Sequence, residues 1–278
     1  MRYAKGHGTG NDFIVVPDLD DRLELGAEVV RRLCDRRTGI GADGVLRVVG
    51  RASGPAPWFM DYRNSDGSIA EMCGNGIRVF ARYLIDHGLA AGPELAIATR
   101  AGVRAVRQEA DGALTVDMGP VTVGRAGWAV IGGRRYTGVA VTVGNPHLVC
   151  LVSRPLAGID LSEPPEVDAG MFPDGVNVEV MRAAGDHAIE MRVHERGSGE
   201  TLSCGTGAVA AAAGAAAAAG EWPASGSALW TVDVPGGRLA VAPGATASLL
   251  TGPAVIVAEG ETCTSWLTDP LAIAPSTA

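Results

Sequence analysis

The chain has no concentrated run of basic residues, and its formal net charge is −8 over 278 residues. Nothing is therefore available to neutralise a row of phosphates, which excludes a nucleic-acid-binding surface. An anionic small substrate stays compatible, because the local field of a pocket can oppose the overall charge. No apolar run is long enough to span a bilayer. The most apolar stretch is about thirteen residues from Ala208, Ala and Gly but for Val209, short and weakly hydrophobic. None of the five cysteines forms a C-x-x-C pair, and the five histidines are scattered, so no metal site is expected. Charged residues make up only 19% of the chain against 47% hydrophobic, which excludes a disordered chain and suits a well-buried core. The opening residues, MRYAKGHGTGNDF, lack the apolar stretch of a signal peptide. An odd number of cysteines without that signal fits free thiols in a reducing cytoplasm, and a cytoplasmic location is the expectation.

Aromatic residues are few, whereas 39 glycines and 16 prolines punctuate the chain into many short elements. Phe13 to Val16 reads as a strand, Gly26 to Asp35 as a helix, and TGIGADG from Thr38 as a tight turn rather than a dinucleotide fingerprint, whose G-x-G-x-x-G spacing it lacks. From Gly74 to about His87, apolar residues recur at helical spacing (Ile77, Phe80, Ala81, Leu84), with Gly88 placed to stop the helix. Short strands follow up to VCLV, and again at VNVEVMR and HAIEMRVHERG. Ala208 to Ala219 then reads as a second helix, closed by Gly220, before the chain returns to strands. Strands, one long apolar helix and more strands thus occur twice, a loose internal repeat. The fold class expected is α/β (α+β), with a boundary near Gly119–Pro120. The second helix carries no Lys or Glu from Ala208 to Ala219. A helix without a polar face is one buried on all sides, here wrapped by a curved sheet.

Two motifs answer each other across more than a hundred residues: MCGNGIR from Met72 and SCGTGAV from Ser203. Each puts a cysteine directly before Gly-x-Gly and a helix. Free backbone N–H groups and the helix dipole at such an N-terminus favour a thiolate and a bound carboxylate. Cys73 and Cys204 are accordingly the candidate acid/base pair. Cys34, Cys150 and Cys263 read as packing residues, and His7, His87, His187 and His194 have no partner pattern that singles them out.

The strings GNDF, MCGNGIR, GNPH, VNVE and ERGSGETLSCGTG, in this order along the whole chain, resemble diaminopimelate epimerase, most closely the actinobacterial branch. The resemblance implies epimerisation of LL-2,6-diaminopimelate to the meso form without pyridoxal phosphate or any other cofactor, a step towards lysine and peptidoglycan. It implies two pseudo-symmetric domains, each a curved mixed sheet or barrel around a central helix, with the active site in the cleft between them and a homodimer as the assembly. The domains would span residues 1–118, with 263–278 returning to them, and 119–262. By motif position, Cys73 and Cys204 match the family's acid/base pair. Gly74, Asn75, Gly205 and Thr206 match the residues whose backbone N–H groups hold the reacting carboxylate. Asn11, Asn64, Asn145, Asn177, Glu195 and Arg196 match those that bind the rest of the substrate, and His147 and Glu195 match those that tune the cysteines. Gly44 stands where many members have glutamine.

These roles agree with the chemistry of the residues. An α-hydrogen is very weakly acidic, so the carbanion needs its carboxylate held by dipoles that act more strongly as charge develops. A thiolate takes the proton and a thiol returns one from the opposite face. The reference thiol pKa of about 8.5 is expected to fall towards neutrality at a helix end beside His147. Arg196 offers a fork for a distal carboxylate, and Glu195 can accept from an ammonium. Two other readings stay open at this level. One is a racemase or epimerase of the same architecture acting on another amino acid, such as proline; it has no distal carboxylate to occupy Arg196. The other is a thiol-redox or binding protein in which the two cysteines form a regulatory disulfide.

Overall fold

The structure, a computed structural model, describes residues 1–223, 228–263 and 265–266. The expected return of the C-terminal segment therefore lies outside the described residues at 264 and from 267 onward. Strands β1 (Arg2–Gly8) and β2 (Asn11–Pro17) are followed by α1 (Ala27–Cys34), β3 (Gly44–Gly50), β4 (Trp58–Asn64), α2 (Gly74–Asp86), β5 (Glu94–Thr99) and β6 (Gly102–Gln108). Then come β7 (Leu114–Gly119), β8 (Thr122–Ile131), β9 (Arg134–Thr142), β10 (Pro146–Leu151), β11 (Glu166–Val167), β12 (Asn177–Gly185), β13 (Ala188–Glu195) and β14 (Gly199–Thr201). The chain continues through α3 (Gly205–Ala218), β15 (Trp230–Val234), β16 (Gly237–Ala242), β17 (Ser248–Gly252) and β18 (Val255–Glu261). The fold is mixed α+β and dominated by sheet. Among the described residues no helix is long and apolar enough to cross a membrane.

The chain divides into two compact units, with crossings at residues 105–106 and 253–254 rather than the expected 118–119 and 262–263. Strand pairing explains both differences. β7 pairs antiparallel with β17, Val116 opposite Leu250, and so belongs to the second unit. β18 pairs antiparallel with β1, Tyr3 opposite Gly260, and so belongs to the first. Residues Thr9–Asn11 also group with the second unit.

In the first unit, β2 and β3 run parallel and β4 lies antiparallel to β3. Phe13, Ile14, Val15 and Val16 are all completely buried, as expected of a strand covered on both faces. Ile14, Val16 and Val45 pack with Val30 and Leu33 of α1. The α2 helix lies against β1, β3, β4 and β18 and ends where Gly88, at φ +64°, turns the chain. Charges brace the sheet. Asp61 on β4, with 1% of its side chain exposed, pairs with Arg47 (3.1 Å), Arg63 (3.1 Å) and Arg100 (2.5 Å).

In the second unit, β8 and β9 form a hairpin through Gly132 and Gly133, whose φ values of +55° and +74° suit a tight two-residue turn. β10 lies between antiparallel β9 and parallel β12, and β13 then pairs with β12 and β15. The alternation of β10 is clear. Leu148 and Cys150 join a core with Leu156, Leu161 and Phe172, while Val149 faces α3, where a Cβ on Gly214 would come within 2.9 Å of Val149 Cγ1. The α3 helix touches strands from β8 to β17 and is buried from Gly207 to Ala216. The Ala-rich stretch is therefore a wrapped central helix, beginning three residues earlier than its alanines suggest.

Candidate active site

Both motif cysteines are helix N-caps. Cys73 precedes α2 with extended backbone (φ −138°, ψ 124°), and its Sγ accepts the Gly76 N–H at 3.4 Å. Cys204 precedes α3 with φ −121° and ψ 120°, and its Sγ accepts the Gly207 N–H at 3.4 Å. Gly74 and Asn75, and in the other unit Gly205 and Thr206, form the first helical turns, where main-chain N–H groups have no intrahelical acceptor. The repeat seen in the sequence is thus a repeat of local geometry.

The surroundings of the two sulfurs differ. In the first unit, Arg78 lies one turn below Cys73 and is wholly buried. It donates to the Gly74 carbonyl at 3.0 Å and to Asn75 Oδ1 at 2.9 Å. Burial pushes the Arg78 guanidinium down to about 10, still protonated at neutral pH, and the charge of Cys73 acts in the opposite sense. That attraction is mutual, so Arg78 favours an anion at Cys73. Asn64 ends β4 in a separate turn, where its Nδ2 donates to Ser68 Oγ at 3.0 Å. Gly44, opposite Asn64 in the β3–β4 ladder, has no room for a side chain: a Cβ there would come within 2.6 Å of the Arg63 carbonyl and 2.8 Å of Tyr62 Cε2. Asp12 of β2 holds the glycine-rich turn through Lys5 (2.7 Å) and through Arg36 (2.7 Å), which also pairs with Asp43, while half-buried Asn11, the first residue of that strand, groups with the second unit.

In the second unit, one connected set surrounds Cys204. Thr206 Oγ1 lies 3.5 Å from the sulfur and accepts from Asn145 Nδ2 at 3.4 Å. Asn145 Oδ1 is 3.0 Å from His147 Nε2, and His147 Nδ1 is 2.7 Å from Glu179 Oε1. Glu195, at the end of β13, accepts from the Thr201 hydroxyl. Burial raises the Glu195 carboxyl above its ordinary value, against hydrogen bonds from Thr201 and Cys204 that lower it. Asn177 Oδ1 accepts the Arg196 N–H at 2.8 Å, and the Arg196 guanidinium donates to the Asp174 carbonyl at 2.8 Å.

One expectation is corrected here. The Cys204 thiol is not lowered towards neutrality. Burial pushes it well above its ordinary value, the Glu195 and Glu179 carboxylates push it further, and the Thr206 and Gly207 hydrogen bonds offset only part. Desolvation of a thiolate outweighs a helix terminus, because the terminal dipole is worth about 0.3–1 kcal/mol and burial acts on a full charge. Cys204 is therefore held as a thiol.

Sequence reasoning missed Arg78 and Glu179. A signal existed for each. Arg78 sits between Ile77 and Val79 in a helix whose neighbours are apolar, and Glu179 shares a strand face with Asn177 in VNVE.

Comparisons with known proteins identify the family. A family profile described as "Diaminopimelate epimerase" matches residues 3–124 and 139–257. The chain is 53% identical over 273 residues to a diaminopimelate epimerase of Thermobifida fusca, spanning 94% of this chain and 97% of that protein. It is 48% identical over 289 residues to one of Mycolicibacterium smegmatis, spanning 96% and 98%. Among solved structures, a hydroxyproline epimerase from Agrobacterium vitis superposes with a TM-score of 0.70 at 17% identity, covering 98% of this chain and 94% of that chain. A PhzF-family phenazine biosynthesis protein from Bacillus anthracis superposes at 0.66 and 17%, covering 95% and 99%. These two show a shared fold. With matches in both halves and about half of its residues shared with curated relatives over nearly its whole length, the chain belongs to the diaminopimelate epimerase family and is an isomerase.

Proposed function

We propose that the chain converts LL-2,6-diaminopimelate to the meso form with two cysteines as acid and base, acting as a cytoplasmic homodimer in the supply of lysine and peptidoglycan precursors. The observation that carries the reading is the matched pair of N-caps, each a cysteine whose sulfur accepts a first-turn N–H at 3.4 Å. Cys73, above the Arg78 charge, is the resting thiolate that removes the α-proton. Cys204, held as a thiol among carboxylates, returns a proton to the opposite face. After one turnover the protonation states are exchanged, which suits the reverse substrate. The carbanion is stabilised by N–H groups of Gly74, Asn75, Gly205 and Thr206 on the reacting carboxylate. Arg196 takes the distal carboxylate, while Asn11, Asn64, Asn145, Asn177 and Glu195 hold the remaining polar atoms. His147 and Glu195 tune the thiols.

No cofactor enters this scheme. A pyridoxal-phosphate route needs a lysine for the Schiff base. The only lysine of the sequence, Lys5, is ion-paired to Asp12 at 2.7 Å and donates to the Gly41 carbonyl.

The test is deuterium uptake from solvent into diaminopimelate, followed by mass spectrometry beside a chiral assay of product. Cys73→Ala and Cys204→Ala are each expected to lower epimerisation at least ~1000-fold, since each removes one acid/base group outright. Undiminished turnover in either variant rejects the two-base scheme. Exchange with proline and none with diaminopimelate rejects the substrate.

A further inference from the structure

Glu179 is the most buried acid of the second unit, and no motif role accounts for it. Its side chain and that of His147 are both 0% exposed. Oε1 faces His147 Nδ1 at 2.7 Å, and Oε2 has no hydrogen-bond partner among the described residues. A carboxylate that satisfies only one of its oxygens in a dry interior is costly, and such groups are retained mainly where function needs them. Its position is also tightly determined. A Cβ on Gly207, in the first turn of α3, would come within 2.7 Å of Oε1, so the glycine leaves the space that the carboxylate fills.

We infer that Glu179 is a positioning residue for the epimerisation, fixing the tautomer of His147 and, through Asn145 and Thr206, the direction of the hydrogen bonds that reach Cys204. The inference rests on the reading of Cys204 as an acid/base group. A carboxylate can only accept, so Nδ1 must carry hydrogen. The polarity of the remaining chain then follows from whether Nε2 also carries one. If it does, Asn145 turns its oxygen to Nε2 and its NH2 to Thr206 Oγ1, and the Thr206 hydroxyl donates to the Cys204 sulfur, which suits a thiolate. If Nε2 is bare, Asn145 turns its NH2 to the ring, the Thr206 hydroxyl donates to Asn145, and its oxygen is left to accept from a Cys204 thiol. The amide as it stands, with Oδ1 on Nε2 and Nδ2 on Thr206, is the first of these arrangements; turning it over, at the same spacings of 2.7, 3.0, 3.4 and 3.5 Å along Glu179–His147–Asn145–Thr206–Cys204, gives the second, which is the one that matches a Cys204 thiol. Each turnover of the two-base scheme changes the state of Cys204, and this relay gives both states a matched partner. A bare Nδ1 would break the sequence at its first link. The ionisable groups acting with Glu179 are His147 and Cys150 on β10, Glu195 on β13 and Cys204 at the head of α3. His147 is the one bonded to it directly.

The test combines two variants with a measurement on the unmodified enzyme. Glu179→Leu removes the acceptor and the unsatisfied oxygen together. It is expected to lower kcat ~10- to 100-fold, the range for losing a residue that orients a reacting or ligating group, with KM changed less than ~3-fold and Tm unchanged or raised. Glu179→Gln keeps an acceptor for Nδ1 and is expected to recover most of that kcat. In nitrogen-15 NMR of the wild-type full-length enzyme, the His147 ring is expected to carry hydrogen on Nδ1 at every pH where the enzyme is active. A ring protonated on Nε2 alone overturns the inference, as does wild-type kcat in Glu179→Leu. If Cys204→Ala retains activity while the His147 tautomer is as expected, the two-cysteine reading has failed instead. If Cys204→Ala is inactive and Glu179→Leu is not impaired, only the role of Glu179 has failed.

Discussion

Replacing Gly207 by alanine separates the demands of the site from those of the helix that carries it. At an ordinary helical position Gly→Ala stabilises by about 1 kcal/mol, because glycine loses more backbone entropy on folding. At Gly207 the new Cβ would stand 2.7 Å from Glu179 Oε1, 3.2 Å from Cys204 Cβ and 3.4 Å from Cys204 Sγ. A carbon–oxygen contact relaxes near 3.3 Å, so Oε1 or the first turn must move by roughly 0.6 Å in an interior packed to crystal density. The carboxylate cannot swing away freely, because His147 holds it at 2.7 Å. Overpacking of this kind costs about 1–3 kcal/mol, so the net effect is a loss of about 0–2 kcal/mol. That corresponds to a fall in Tm of up to about 8 °C for a chain of this size class. Displacing the Glu179–His147 pair is expected to reduce kcat ~10- to 100-fold. The equivalent glycine of the other motif is the internal control. A Cβ on Gly76 would meet Leu46 Cδ2 at 3.3 Å and both Cys73 Cβ and Phe13 Cζ at 3.4 Å. Those contacts need only a few tenths of an ångström, so Gly76→Ala is expected within ~1 kcal/mol of wild type. Thermal melts and steady-state turnover on the two variants read the difference. A Gly207→Ala enzyme that melts several degrees above wild type with full turnover would refute the reasoning.

Two further outcomes follow from the electrostatics. Iodoacetamide at pH 7.5 is expected to alkylate half-buried Cys73 before Cys204, and to spare Cys34 and Cys150, whose thiols burial pushes up to about 12; peptide mass spectrometry showing Cys204 labelled first would contradict the assigned resting states. Burial alone would raise the Asp61 carboxyl, yet Arg63 and Arg100 hold it below the ordinary range. Its contribution is therefore present above the unfolded pKa of about 3.9 and lost as pH falls through the lower folded value. Asp61→Asn is expected to cost about 3 kcal/mol at pH 7 and much less at pH 2–3; an equal loss at both pH values would show that the arginines are not the cause.

Much of the site's local architecture was legible in the order of the residues. The cysteine–Gly-x-Gly strings placed both cysteines at helix N-termini. The absence of polar residues after Ala208 marked α3 as a helix covered on every side, and the periodicity of residues 74–87 gave α2 nearly to the residue. These are local properties: a cap, a helical face and a glycine stop are each settled within one or two turns of chain. What the tertiary structure decided depends on residues distant in sequence. The boundaries moved because β7 and β18 pair with strands far away, and periodicity says which face of a strand is apolar but not which strand lies beside it. The register of β10 on β12 turned Glu179 towards His147, although an alternating VNVE reads equally well as a strand with a solvent face. Burial then reversed the expected state of Cys204. A helix terminus can be recognised in a string of letters, whereas the loss of water around a sulfur, and the two carboxylates that share its enclosure, exist only once the chain has closed around it.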